Sequence, residues 1–305
     1  MRSFAKQTLE RAAATSGLPS LLRRFGKRDR VILAYHNVVP NHSRSLGEAS
    51  LHLELGDFRA QLDFLQEHFD VVPLTELLQT AEREEKPRAS ITFDDAYRGC
   101  LELALGELVE RGVPATIFVA PGLLGGGAFW WDILANPQAG QLDPSLRVHI
   151  LQRLHGHQPR VLEWAAAEGL NRNELPPLYH AATSEEVEEA GKRPGISIDS
   201  HTWSHVNLDS LEPMAMAQEL AQPLQWLRER SLPGSGILSY PYGFPPRDDT
   251  DPIGKAGYAF GLLIQGGPMS FSMIGSRPFH IPRLNIPRGL SLKGFELKIS
   301  GAWFR

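Results

Sequence analysis

The chain has one cysteine, Cys100, which excludes an internal disulfide and a cysteine-rich metal centre and leaves a reducing compartment permitted. It also lacks any apolar run long enough to span a bilayer, and its N-terminus has no uninterrupted hydrophobic stretch of the secretory-signal kind. Charge of one sign is scarce too: a net charge of −4 and an isoelectric point near 6.3 give no global attraction to nucleic acid or an anionic surface. Neither a fixed-period repeat nor a low-complexity tract stands out. Apolar residues, by contrast, make up 42% of the 305 positions, enough for a substantial core in one large α/β domain.

The first 29 residues differ from the rest. Arg2, Lys6, Arg11, Arg23, Arg24, Lys27 and Arg28 face only Glu10 and Asp29, so this leader is basic within a slightly acidic protein. Phe4, Leu9, Leu18, Leu21, Leu22 and Phe25 can line one side of short helices broken at Gly17-Leu18-Pro19. Such a segment either packs on the domain as a solvated helix or docks on a membrane surface or an acidic partner. A cytoplasmic location, peripheral at the inner membrane face through this leader, is the expectation.

Strand-like and helix-like segments alternate over residues 30–290. Arg30–His36 reads as a strand ending at a histidine, Asp57–His68 as a helix capped by Asp57, and Phe69–Pro73 as a short strand before a helix capped by Thr75. Ala89–Phe93 is a strand running into Asp94-Asp95, Cys100–Arg111 a helix stopped by Gly112, and Ala115–Ala120 a continuous apolar strand of the parallel-sheet type. Residues 122–190 are less regular and read as an insertion or elaborated loop region. Order returns with strands at 195–200, 236–240, 258–264 and 279–286 and a helix over 211–229; residues 291–305 read as a C-terminal tail. The alternation argues for an α/β domain with its site at the C-terminal ends of strands.

Two such ends carry chemistry. The strand through Phe93 stops in paired carboxylates, and the strand through Ser200 runs directly into His201-Thr202-Trp203-Ser204-His205. An Asp-Asp pair alone suits a turn and helix cap. Two imidazoles and a carboxylate, however, suit Zn²⁺ or another divalent transition metal with a position left open for water. Such a site makes a nucleophile at neutral pH and polarises a carbonyl, and the second carboxylate is then free to serve as a base.

Thr92-Phe93-Asp94-Asp95, Ser200-His201-Thr202-Trp203-Ser204-His205 and Tyr240-Pro241-Tyr242-Gly243, in that order, resemble the first three motifs of the polysaccharide deacetylases, the NodB-homology or carbohydrate esterase family 4 proteins. Tyr35-His36-Asn37-Val38 is similar to the opening strand of many members. The resemblance implies a distorted (β/α)7 barrel and metal-dependent hydrolysis of N-acetyl, at times O-acetyl, groups on sugars. It makes Asp94 the general base, Asp95, His201 and His205 the metal ligands, and the Tyr242 backbone N–H a donor to the oxyanion. Trp130 or Trp131 is a candidate wall for the acetyl methyl group or a platform for a sugar face, against the alternative of plain core packing.

Two departures from the family pattern matter. Ser239 stands two residues before the proline, where the third motif usually has an arginine that orients the base; Arg283 is the candidate substitute. The late Leu-x-His motif has no match after residue 284, so His36, or less readily His280, is the candidate general acid. These gaps keep open a catalytically silent carbohydrate-binding relative. A glycoside hydrolase using Asp94 with a second carboxylate is a further alternative, which leaves both histidines unexplained.

Overall fold

The structure is a computed structural model describing residues 29–81, 85–232, 234–247 and 251–301. The basic leader therefore lies outside the described residues except for Asp29. In chain order the strands are β1 (Arg30–Tyr35), β2 (Asn37–Val39), β3 (His52–Glu54), β4 (Asp70–Val71), β5 (Arg88–Phe93), β6 (Ala115–Val119), β7 (Ile196–Ser200), β8 (Ile237–Ser239), β9 (Phe260–Leu262) and β10 (Leu284–Asn285). The α-helices are α1 (Leu55–His68), α2 (Leu74–Gln79), α3 (Leu105–Glu110), α4 (Trp130–Ile133), α5 (Pro144–Arg153) and α6 (Gln158–Ala167). They continue with α7 (Ser184–Gly191), α8 (Pro213–Glu229), α9 (Pro252–Ala256), α10 (Phe271–Ser276) and α11 (Leu292–Ile299). Among the described residues, no helix is long and apolar enough to cross a membrane.

The main sheet is parallel throughout, in the order β10-β1-β5-β6-β7-β8-β9, with β4 pairing β5 off this path. It curls until its ends meet: the Ile281 N–H donates to the Gly261 carbonyl at 3.0 Å, and the Ile281 carbonyl accepts from the Leu263 N–H at 2.8 Å. Three residues later β10 pairs with β1. This is the distorted (β/α)7 barrel expected from the sequence.

Strand parity explains both the core and the site. In β1, β5, β6 and β7, residues Val31, Leu33, Tyr35, Ala89, Ile91, Phe93, Ala115, Ile117, Val119, Ile196 and Ile198 belong to the large cluster beneath the helices. The alternate positions turn inward, and Ile32, Phe118, Ile237, Leu262 and Ile281 fill the barrel. Both faces being covered, β1 and β6 read as nearly continuous apolar runs, whereas β5 and β7 place Ser90, Thr92, Ser197 and Asp199 at the inward positions. Continuing the inward parity by one step past each strand gives His36 after Ala34, Asp94 after Thr92 and His201 after Asp199, and the same parity from Ile281 places Arg283 inward just before β10. The barrel thus delivers these side chains to one mouth.

Several boundaries differ from the sequence reading, each for a physical reason. Pro73, not Thr75, is the N-cap residue of α2, and no side-chain cap is made there. The helix over Cys100–Arg111 begins as a π-helical turn, Cys100–Ala104, before α3. The strand expected over 279–286 shortens to two residues because Pro282 has no N–H for a ladder. Residues 122–190 are well integrated, since Trp130, Trp131, Ile150, Val161 and Val187 enter the main core. The expected tail carries α11, whose buried Phe295 ring meets Phe64 of α1 edge-on at 5.8 Å.

Candidate active site

Asp94 extends β5 by one residue, its N–H donating to the Tyr35 carbonyl at 3.0 Å. Its carboxylate therefore points into the barrel mouth, where Arg283 meets it end-on: Nη1 donates to Oδ1 at 2.8 Å and Nη2 to Oδ2 at 2.6 Å. The remaining guanidinium N–H groups reach the Leu263 carbonyl (2.9 Å), Thr92 Oγ1 (3.1 Å) and Ser239 Oγ (2.7 Å). An arginine has five such donors, and all are used here, which is what a fully buried cation requires. Burial opposes ionisation of Asp94, but Arg283, aided by His201, outweighs it and holds the carboxyl well below the usual carboxylate range. The short Ser239 side chain leaves room at the end of β8 for an arginine arriving from the β9–β10 side, and its hydroxyl bridges the pair.

Asp95 would face outward if the strand continued. Instead the chain turns with φ 71° at Asp95 and 50° at Ala96, swinging the carboxylate onto the rim. There its Oδ1 lies 3.1 Å from His205 Nε2 and 3.5 Å from His201 Nε2, and the three ligand atoms all fall within 4.8 Å of one another. His201 Nδ1 is 2.7 Å from the Ser239 carbonyl, which can only accept, so Nδ1 carries the proton and the neutral ring's lone pair sits on Nε2, toward Asp95. Burial pushes His201 down to about 4, with Asp94 and Asp95 acting in the opposite sense. Asp95 Oδ1 is buried and, although His205 Nε2 lies 3.1 Å away, makes no well-aligned hydrogen bond. A carboxylate oxygen facing an imidazole lone pair, with a second imidazole nitrogen alongside, is unfavourable until a cation joins them. The donor set of one oxygen and two nitrogens fits a zinc-like divalent ion.

Strain concentrates in the same place. Asp95, Ala96, Thr202 (φ 64°), His205 (φ 56°) and Tyr242 (φ 58°) are five of the nine non-glycine residues with positive φ among the described residues. Each such conformation costs about 1–3 kcal/mol and persists only where its surroundings over-determine it.

A cavity of about 260 Å³ opens above these groups. His36, Asp94, Asp95, Trp131, His201, His205 and Tyr242 all line it, with Glu48, Arg147 and Phe244 among the other lining residues. Surrounding protein lowers the His36 pKa by desolvation, and both aspartates pull it back up. The two tryptophans part company. Trp131 lies 4.8 Å ring to ring from His205 and donates from Nε1 to the Tyr97 hydroxyl at 2.8 Å. Trp130 does not reach the cavity: it is 0% exposed and donates to the Tyr242 hydroxyl at 3.2 Å, which corrects its expected contact with substrate. His280 is exposed and lines a separate cavity with Phe279 and Arg247, away from both aspartates.

The sequence reading missed a buried support. Asp132 accepts from the Glu48 N–H (2.8 Å) and the Tyr97 hydroxyl (2.7 Å), and lies 3.1 Å from His52 Nε2. Through Tyr97 it fixes Trp131 over His205. The Trp-Trp-Asp run was a visible signal, but its partners come from far away in sequence.

A family model described as polysaccharide deacetylase matches residues 81–261, more than half of the chain. A curated relative, the putative polysaccharide deacetylase YxkH of Bacillus subtilis (strain 168), is 23% identical over 268 residues, covering 87% of this chain and 74% of the relative. Among solved structures, the Streptococcus pyogenes deacetylase PplD in complex with acetate superposes with TM-score 0.60 at 17% identity, over 88% of this chain and 97% of that one. IcaB from Ammonifex degensii gives TM-score 0.60 and 17% identity, over 89% and 95%. At these identities the structural likenesses establish the shared fold.

Proposed function

Since the chain belongs to the polysaccharide deacetylase family, whose activity is the hydrolytic deacetylation of carbohydrate, we propose that it removes the N-acetyl group of an amino sugar in a glycan, glycolipid or glycan precursor by metal-dependent hydrolysis. The observation that carries this reading is the division of the two aspartates: Asp94 held ionised by Arg283, Asp95 converging with His201 and His205 around an unsatisfied oxygen.

Asp95, His201 and His205 would hold the ion. When bound, a divalent cation supplies positive charge that lowers the pKa of water and polarises the acetyl carbonyl. Asp94 accepts the proton of the attacking water, and Arg283 keeps its carboxylate ionised and aimed. The Tyr242 N–H, on a backbone fixed at φ 58°, is the proposed protein donor to the developing oxyanion. The amide C–N bond then breaks, and His36 is the proposed carrier of the proton that the leaving amine requires. Trp131, 4% exposed, walls the acetyl methyl group rather than stacking on a ring, whereas Phe244, 46% exposed at the mouth, offers a sugar its apolar face.

Acetate release from N-acetylated chitooligosaccharides by zinc-reconstituted protein tests the reading. Release that is lost with a chelator and restored by zinc is expected. Stoichiometric zinc with no release from any N-acetylhexosamine substrate would instead leave the carbohydrate-binding alternative. The inner-membrane location proposed through the basic leader rests on sequence alone, and fractionation of chains with and without residues 1–28 checks it.

A further inference from the structure

Behind the two metal-site histidines, the turn that joins them is gripped on its α8 side by a residue outside the motifs. Glu219, in the middle of α8, accepts on Oε2 from the Trp203 N–H at 3.0 Å and the Ser204 N–H at 2.8 Å. Its Oε1 accepts from the Ser204 hydroxyl at 2.6 Å. The Glu219 backbone carbonyl takes part as well, sharing the Trp203 N–H at 3.1 Å. In an uninterrupted helix that carbonyl would accept from the residue four positions on. Here that residue is Pro223, inside the helix and without an N–H, so the carbonyl is left for the turn.

The turn needs such restraint. Thr202 and His205 both sit at positive φ, a conformation that β-branched and bulky residues avoid. From the opposite side the His201 N–H donates to the Val119 carbonyl at 2.8 Å, and the Trp203 carbonyl accepts from the Gly122 N–H at 2.8 Å. A Cβ at Gly122 would lie 2.8 Å from that same carbonyl, so only glycine allows the approach. Held on both sides, the backbone has little freedom to change the separation of the two Nε2 atoms.

We infer that Glu219, with its carbonyl freed by Pro223, is a positioning residue that presets His201 and His205 for their metal. This rests on the metal-site reading above. Glu219 is placed on no ligand atom and acts through the Trp203-Ser204 backbone. Groups that orient metal ligands in this way typically carry about 10- to 100-fold in metal affinity.

Titration of the full chain with zinc against a chromophoric chelator tests the inference, with the cobalt-substituted absorption spectrum as a second readout. Glu219→Ala is expected to weaken zinc by roughly 10- to 100-fold and alter the cobalt spectrum. Glu219→Gln, which keeps one carbonyl acceptor, should recover part of the loss. Pro223→Ala returns a competing N–H to the helix and should weaken zinc by a smaller factor with the carboxylate intact. Folded Glu219→Ala protein with wild-type zinc affinity and cobalt spectrum would overturn the clamp. If Glu219→Ala does not fold, wild-type affinity in both Glu219→Gln and Pro223→Ala would do the same. Absence of zinc on the wild type would overturn the underlying metal site, and the clamp with it.

Discussion

Asp94 and Asp95 are adjacent in sequence and nearly equally buried, at 2% and 5% exposure, yet their surroundings are opposite. Around Asp94 both oxygens accept from the guanidinium of Arg283, whose every donor is used. Around Asp95, one oxygen makes no well-aligned hydrogen bond and two imidazole nitrogens close in on it. The first half of the site contains its own cation; the second has a donor set that could hold one from outside. Backbone geometry produces the difference: Asp94 still follows strand parity into the barrel, and Asp95 turns out of it at φ 71°. Adjacent residues of one chemical type thereby acquire different surroundings, on which the proposed division into base and metal ligand rests.

The strongest way to break the comparison is to remove the internal cation. Arg283→Met leaves Asp94 buried and unpaired, which should cost about 3–5 kcal/mol, read by chemical denaturation. It should also change the response to acid. In the wild type the Asp94 pKa is depressed, so the stability from this pair is full above the unfolded carboxylate value of about 3.9 and is lost as pH falls through the lower folded value. Without Arg283, burial is opposed only by the weaker pull of His201 and His36 and the Ser239 hydroxyl, so Asp94 protonates at higher pH and an acid limb should move upward in the pH–rate profile. An unmoved limb would show that Arg283 does not set the ionisation of the base.

Next in size, His36→Ala separates proton transfer from metal holding. Acetate release should fall by about 10²-fold or more with bound zinc unchanged. Equal turnover would remove His36 as the proton carrier. The smallest effect sharpens the distinction between the tryptophans. Trp130→Phe forfeits one hydrogen bond to the Tyr242 hydroxyl and part of a fully buried ring, and should cost about 2 kcal/mol of stability, with zinc content preserved. A large loss of zinc in that variant would place Trp130 closer to the metal half than its burial indicates.

Much of this geometry was legible in the sequence, because it depends on strand ends. The strand-like segments before Asp94, His201 and Tyr242 announce strand ends within an alternating α/β pattern, and the shared direction of those strands gathers the residues at their C-terminal ends into one mouth. Arg283 was legible only through the family resemblance: Ser239 stands where the third motif usually has an arginine, and Arg283 was the candidate substitute. The features that stayed hidden depend on contacts between distant segments. Nothing local to Trp130 and Trp131 says which faces the cavity; Tyr97 and Asp132 hold one, and Tyr242 meets the other. Pro223 was visible within a helical pattern, but the use of the freed Glu219 carbonyl required knowing that the histidine turn packs against it. Prolines likewise blurred the last strands, where the barrel closes with few ladder bonds.

The most direct measurement of the division between the two aspartates is the zinc content of folded Asp94→Asn set beside that of folded Asp95→Asn. The account predicts that Asp94→Asn retains stoichiometric zinc while losing acetate release, and that Asp95→Asn loses the zinc itself. Retention of zinc by Asp95→Asn, or its loss from Asp94→Asn, would contradict the assignment.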